Sequence, residues 1–194
     1  MLIGVTAEEL VVCTVGHSTR PLNSFLTLLK FNDIGLVLDV RTVPRSRHHP
    51  QFNLDSLPNN LATVDIHHTH MSHFEGLRKT CVDSPNTGWR NLSFRGYADH
   101  MQTPEFEHGV KQVVELAMHE RCVLMCAEAV PWRCHRSLIA DALTVRGVRV
   151  EDIIAAKGRK LHVLTPWAKI DGLAITYSVE TVGHASVGRK GKNL

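Results

Sequence analysis

Residues 122–147 read CVLMCAEAVPWRCHRSLIADALTVRG. The apolar run Cys122–Cys126 stops at Ala127-Glu128, and a short loop holding Pro131, Trp132 and Arg133 follows. Cys134-His135-Arg136-Ser137 then opens an amphipathic stretch, with Leu138, Ile139, Ala142 and Leu143 at helical spacing, that closes at Gly147. The pattern is strand, loop, helix. It sets Cys126 at a strand end and Cys134, His135 and Arg136 at a helix N-terminus. Unpaired backbone N–H groups and the helix dipole favour anions and thiolates there.

The same alternation runs outward in both directions. Val11–Val15 is a continuous, mostly β-branched run that ends at Gly16-His17-Ser18, and Pro21 precedes Leu22, Phe25, Leu26 and Leu29 at helical spacing. Leu36–Val40 reads as a second strand, Leu54–Leu61 as a short helix, and Val64–His67 as a weaker third strand. Thr103-Pro104 opens a helix through Glu120, and Val148–Ile153 and Leu161–Leu164 read as further strands. Residues 69–100 are the least regular part. Continuous apolar strands alternating with helices predict an α/β fold. The expected form is an open, mostly parallel sheet with helices on both faces, a Rossmann-like three-layer arrangement. One α/β domain is expected over residues 11–176, with a lead at 1–10 and a flexible tail at 177–194.

Composition narrows the function classes. A net charge of +3 gives no strong electrostatic case for nucleic acid or a membrane surface, and no apolar run reaches membrane-spanning length. Five cysteines, an odd count, and an N-terminus without a basic flank imply reduced thiols and a cytoplasmic protein. In an open α/β sheet the ligand crevice lies at the carboxyl ends of the strands. Those ends carry His17 and Ser18, then Asp39 and Arg41, then His67 to His73, then Cys126 and Glu128.

Several motifs together resemble the domain of unknown function 488 family. They are Thr14-Val15-Gly16-His17-Ser18, Leu38-Asp39-Val40-Arg41 with Pro44-Arg45-Ser46-Arg47, Phe52-Asn53, Ser93-Phe94-Arg95-Gly96-Tyr97-Ala98, and Cys126-Ala127-Glu128 with Cys134-His135-Arg136. The resemblance spans roughly residues 11–155 with the motifs in order. In a further loop His70, Gly76 and Arg78 match the family's His, Gly and Arg, whereas Ser72 and Glu75 depart from it. The resemblance implies a cytoplasmic α/β protein and supplies no settled activity.

The chemistry is therefore argued from residue types. Arg41 and Arg136, with Arg95, are expected to hold an anionic group, because a guanidinium grips phosphate or carboxylate bidentately. Asp39 and Glu128 are candidate ion-pair partners for them. Cys126 is the candidate nucleophile, its pKa lowered by neighbouring arginine and the helix terminus, and His17 or Glu128 would move protons. Cys134, His135, His70 and Arg78 complete the expected substrate-binding set. The pair Cys126 and Cys134, with seven residues between them, lacks the tight spacing of a zinc site, and the run His67, His68, His70, His73 shows no ligand motif. No metal site is therefore expected, and no cofactor is specified. The reading is hydrolysis or group transfer on a small phosphate- or nucleotide-like anion. A second reading is a non-catalytic nucleotide or nucleic-acid binding module, with Trp89, Phe94 and Tyr97 stacking or packing over the cleft beside the basic cluster Arg45, Arg47, His48 and His49. A third is a metal- or redox-dependent protein. Oligomeric state is not set by these features.

Overall fold

The computed structural model describes residues 10–155 and 158–179. The main sheet contains β1 (Val11–Gly16), β2 (Leu36–Asp39), β3 (His67–His70), β4 (Cys122–Cys126), β5 (Arg149–Ile153) and β6 (Arg159–Leu161), in the order β3-β2-β4-β1-β5-β6. The first five strands run parallel and β6 is antiparallel to β5. Side chains alternate between two cores, as the pleat requires. Val12, Leu124 and Cys126 face one, and Cys13, Val15, Val123 and Met125 face the other.

The second of these cores packs against α1 (Leu22–Phe31) and α2 (Leu57–Ala62). The first packs against α3 (Leu92–His100), α4 (Pro104–Ala117) and α5 (Arg136–Val145). The result is a three-layer α/β fold. The connections explain where a cleft must form. From β1 and β2 the chain leaves to the α1–α2 face, and from β4 it leaves to the α5 face. The neighbouring strands β1 and β4 thus send their loops to opposite sides of the sheet, which opens a crevice at their carboxyl ends.

Four features differ from the sequence expectations. The sixth strand is Arg159–Leu161 rather than Leu161–Leu164. The third strand begins at His67 rather than Val64. Val64 and Asp65 instead form the turn after α2, with Asp65 at φ 56°, and β3 is a polar edge strand. Residues 92–100, read as irregular, form α3, capped by Asn91, whose side chain accepts from the N–H groups of Ser93 and Phe94. A hairpin of β7 (Ala168–Asp171) and β8 (Ala174–Tyr177) was also not foreseen. Its last residue, Tyr177, is fully buried, so the packed core extends through the position taken as the start of the tail. The remainder of the expected lead and tail, residues 1–9 and 180–194, lies outside the described residues. Among the described residues no helix is long and apolar enough to cross a membrane.

A buried polar network ties the hairpin to α5. Asp141 accepts from Nε2 of His162 at 2.8 Å, the Thr165 N–H at 3.1 Å and the Tyr177 hydroxyl at 2.9 Å. Nδ1 of His162 lies 3.5 Å from Asp152, which also accepts from the Thr14 hydroxyl at 2.6 Å. Burial pushes the His162 pKa down, but the hydrogen bonds and charges of Asp141 and Asp152 outweigh it and raise it to about 9. A raised histidine pKa stabilises the fold fully below the unfolded value near 6.5, and the contribution is lost as pH climbs through 9. His162→Gln should therefore be less stable than the natural protein at pH 6. The gap should narrow by about 2–3 kcal/mol by pH 9. Paired urea titrations measure it, and a gap independent of pH would show that His162 is not charged in the folded state.

Candidate functional site

A cleft of about 570 Å³ opens at the carboxyl ends of β1, β2 and β4. His17, Arg41, Cys126, Glu128, Cys134 and His135 line it, with Arg45, His49, Arg133 and Phe94 among the further lining residues. The backbone of β1 and β4 stays paired past the strand ends: His17 N–H donates to Cys126 O at 3.0 Å and Ser18 N–H to Ala127 O at 2.9 Å. The loop after β4 then crosses directly over Gly16. A Cβ at that position would sit 1.9 Å from the Glu128 carbonyl oxygen, so only glycine permits the crossing.

Arg41 is the most thoroughly oriented charge in the cleft. Nε and NH2 donate to the two oxygens of Asp39 at 2.8 and 2.6 Å, and NH2 also donates to Phe52 O at 2.8 Å. NH1 lies 3.3 Å from Nε2 of His17. The side chain is 7% exposed and lines the cleft, and one NH1 N–H is left without one of these partners. Burial by itself raises the Asp39 carboxyl, but the hydrogen bonds and charge of Arg41, with His68 Nε2 3.6 Å away, overcome it and hold it at about 2. Asp39 is sealed beneath the guanidinium and positions it.

His17 stacks on Phe52, with ring centroids 4.2 Å apart. Its Nδ1 bonds the Ser18 carbonyl at 2.9 Å, which places the proton on Nδ1 and turns the Nε2 lone pair toward Arg41. Burial, reinforced by the Arg41 charge, holds the imidazole down at about 4 against the opposing pull of the Ser18 carbonyl. His17 is thus a neutral acceptor that fixes the guanidinium plane.

The opposite wall holds two thiols and an imidazole. The closeness of Cys126 and Cys134, whose sulfurs lie within 4.8 Å of each other, dominates both. It lowers Cys134 to about 7 against burial, aided by the Arg136 charge, and together with burial it pushes Cys126 well above the usual thiol range. The expectation of a depressed pKa at Cys126 is therefore reversed. The sulfur beside the helix start, not the one at the strand end, is the more acidic. His135 bonds Val40 O through Nε2 at 3.0 Å, which leaves the Nδ1 lone pair 3.9 Å from the Cys134 sulfur. Gly76 packs on that ring so closely that a Cβ would lie 2.6 Å from Nδ1.

Other expected site residues lie outside this wall. Arg136 is fully buried and is not among the residues that line the cleft. NH1 and NH2 donate to the carbonyls of Glu128 and Ala129 at 2.5 and 3.0 Å, so its charge shapes the loop after β4. Arg95 donates to the Trp89 and Thr87 carbonyls, and Arg78 to Glu75 O, Ser72 O and Glu105. His70 bonds Arg41 O at 2.9 Å and braces the β2 loop from behind. Of the aromatics only Phe94 lines the cleft. Trp89 packs on Trp167 and Tyr177 of the C-terminal segment, and the buried Tyr97 donates to Phe74 O. The histidine run is dispersed: His67 pairs with Glu120, His68 with Asp39, and His73 packs on His108. Two contributors were not singled out. Phe52 supplies both a stacking ring and a carbonyl, and Asn53 accepts from Ser46 N–H at 2.6 Å, holding the basic loop over the cleft. Phe52-Asn53 stood in the sequence as a motif, but nothing in it announced that the Phe52 carbonyl would meet Arg41.

Fold and site together define a three-layer α/β protein with a cleft of arginine, histidine and cysteine at the carboxyl edge of its central strands. The family model described as Domain of unknown function DUF488 matches residues 21–143, and the chain belongs to that family. No curated protein and no solved structure matches it.

Proposed function

We propose that the protein is an enzyme that carries out hydrolysis or group transfer on a small anionic substrate, phosphate- or nucleotide-like, bound in this cleft. The observation that carries the reading is the state of Arg41. It is a buried guanidinium whose other donors are held by Asp39, Phe52 and His17, with one NH1 N–H left for a ligand in the cleft it lines. Such a group binds an anion without first being ordered, so little entropy is lost on binding. Cys134 is the thiol placed for attack, with an acceptor nitrogen of His135 at 3.9 Å. Glu128, exposed at the mouth, is placed for proton exchange with solvent. The five free thiols support a reducing, cytoplasmic setting.

The test is thermal unfolding with inorganic phosphate, pyrophosphate and nucleotides. An anion at a hundredfold excess over its Kd adds about 2.7 kcal/mol, a shift of several degrees. Arg41→Lys keeps the charge opposite Asp39 but loses the fork, and it should abolish the shift. Arg95→Lys, outside the cleft, should retain it. An unchanged shift in Arg41→Lys would remove Arg41 from the site. The exposed Arg45 and Arg47, with Phe94 on the cleft wall, favour a second reading as a nucleic-acid binding module. Salt-dependent oligonucleotide binding that survives Cys134→Ser, without turnover, would put that reading first.

A further inference from the structure

We infer that Cys126, Cys134 and His135 form a binding site for one soft divalent cation of the zinc class in the wall of the cleft. The two sulfurs and the imidazole nitrogen all lie within 4.8 Å of one another. Cys134 Sγ and His135 Nδ1 are 3.9 Å apart. Zinc–sulfur and zinc–nitrogen bonds of roughly 2.3 and 2.0 Å in a tetrahedron put donors about 3.6–3.8 Å apart, so small rotations complete the set.

The imidazole is prepared for such a role. Its Nε2 is committed to the Val40 carbonyl at 3.0 Å, which forces the lone pair onto Nδ1, and a second-shell carbonyl of this kind typically orients metal-bound histidines. Tyr97, with its ring centroid 4.8 Å away, and Gly76 hold the ring in place. The sulfurs sit at the end of β4 and directly before α5, two well-packed elements. Two thiolates and one imidazole select zinc-class cations over magnesium or calcium.

All three donors line the cleft, so a fourth coordination position faces its interior, as in sites that exchange ligands. Chain spacing concealed the site, because the cysteines approach only when the loop after β4 folds back over Gly16. A cation there takes the Cys134 sulfur. On the reading of Cys134 as nucleophile, metal uptake would therefore switch that thiol off reversibly. This consequence rests on that reading, whereas the binding itself does not.

The experiment uses the full chain, reduced and stripped of metal, titrated with Co²⁺ and then Zn²⁺. One equivalent of Co²⁺ should give intense tetrahedral absorption with a sulfur-to-cobalt charge-transfer band, and Zn²⁺ should bleach it. Cys126→Ser, Cys134→Ser and His135→Ala should each weaken uptake on the order of 100-fold, while Cys81→Ser, at an exposed thiol, should leave it unchanged. On the natural protein, which requires no variant to fold, Zn²⁺ should protect Cys134 from iodoacetamide and leave Cys81 labelled. A weak octahedral cobalt spectrum would overturn the inference. So would uptake unaffected by both cysteine variants, or the absence of zinc protection at Cys134. Arg41→Lys separates the two proposals, because it should abolish the phosphate shift and leave cobalt uptake intact.

Discussion

Asp141→Ala is expected to lower the unfolding free energy by about 3–5 kcal/mol, the range for removing one partner of a buried charged network. Asp141 is fully buried in α5 and accepts from three segments: the His162 ring, the Thr165 N–H and the Tyr177 hydroxyl. Its loss strands a charged imidazole and a hydroxyl, both buried, and each then bears its full desolvation penalty. Asp141→Asn keeps the volume and some of the hydrogen bonds, so it should cost less. Because the damage comes from the partners left behind, His162→Leu in the Asp141→Ala background should recover part of the loss. Urea unfolding with an unchanged m-value is the measurement. A loss below about 1 kcal/mol in Asp141→Ala would mean the network contributes geometry but little stability.

Gly16→Ala should cost about 3 kcal/mol and also abolish anion-induced stabilisation. The added methyl group would lie 1.9 Å from Glu128 O, 2.7 Å from Glu128 C and 2.9 Å from Ala129 Cα, all of them backbone atoms. That backbone is not free to retreat, because Arg136 holds the carbonyls of both residues. Gly35→Ala is the matched control. Its Cβ would approach the Glu120 carboxylate at 2.7 Å, but that is the end of a flexible side chain that can swing away. Equal costs for the two substitutions would refute the steric account.

The central strands and two of the helices were legible because their buried positions are mostly apolar. β1, β2 and β4 are continuous hydrophobic runs buried on both faces, and α1 and α4 show clear helical spacing. The margins were not. β3 is the polar sequence HHTH at a sheet edge, and so a criterion built on hydrophobic runs set the third strand at Val64–His67, three residues too early. α3 was hidden by Gly96, which helices disfavour. It is used here because a Cβ would lie 2.5 Å from Arg78 O. In the site, His17, Arg41, Cys126 and Glu128, all at or just past strand ends, line one cleft. What chain order could not supply was direction. Arg136 is spent on two loop carbonyls and does not line the cavity, and the acidity of Cys134 depends on the approach of Cys126 across that loop.

The placement of β4 beside β1 has a mechanical consequence. The cleft's two walls grow out of different halves of the molecule. His17 and Arg41 lean on Phe52, which belongs to the hydrophobic mass under α1 and α2, whereas Cys126 and Cys134 belong to the mass under α3, α4 and α5. An occupant that touches both walls is a keystone: it transmits load between two halves that otherwise meet at the sheet and at a few loop contacts. Occupancy should therefore stiffen the molecule on both sides of the sheet at once, including helices that never approach the ligand.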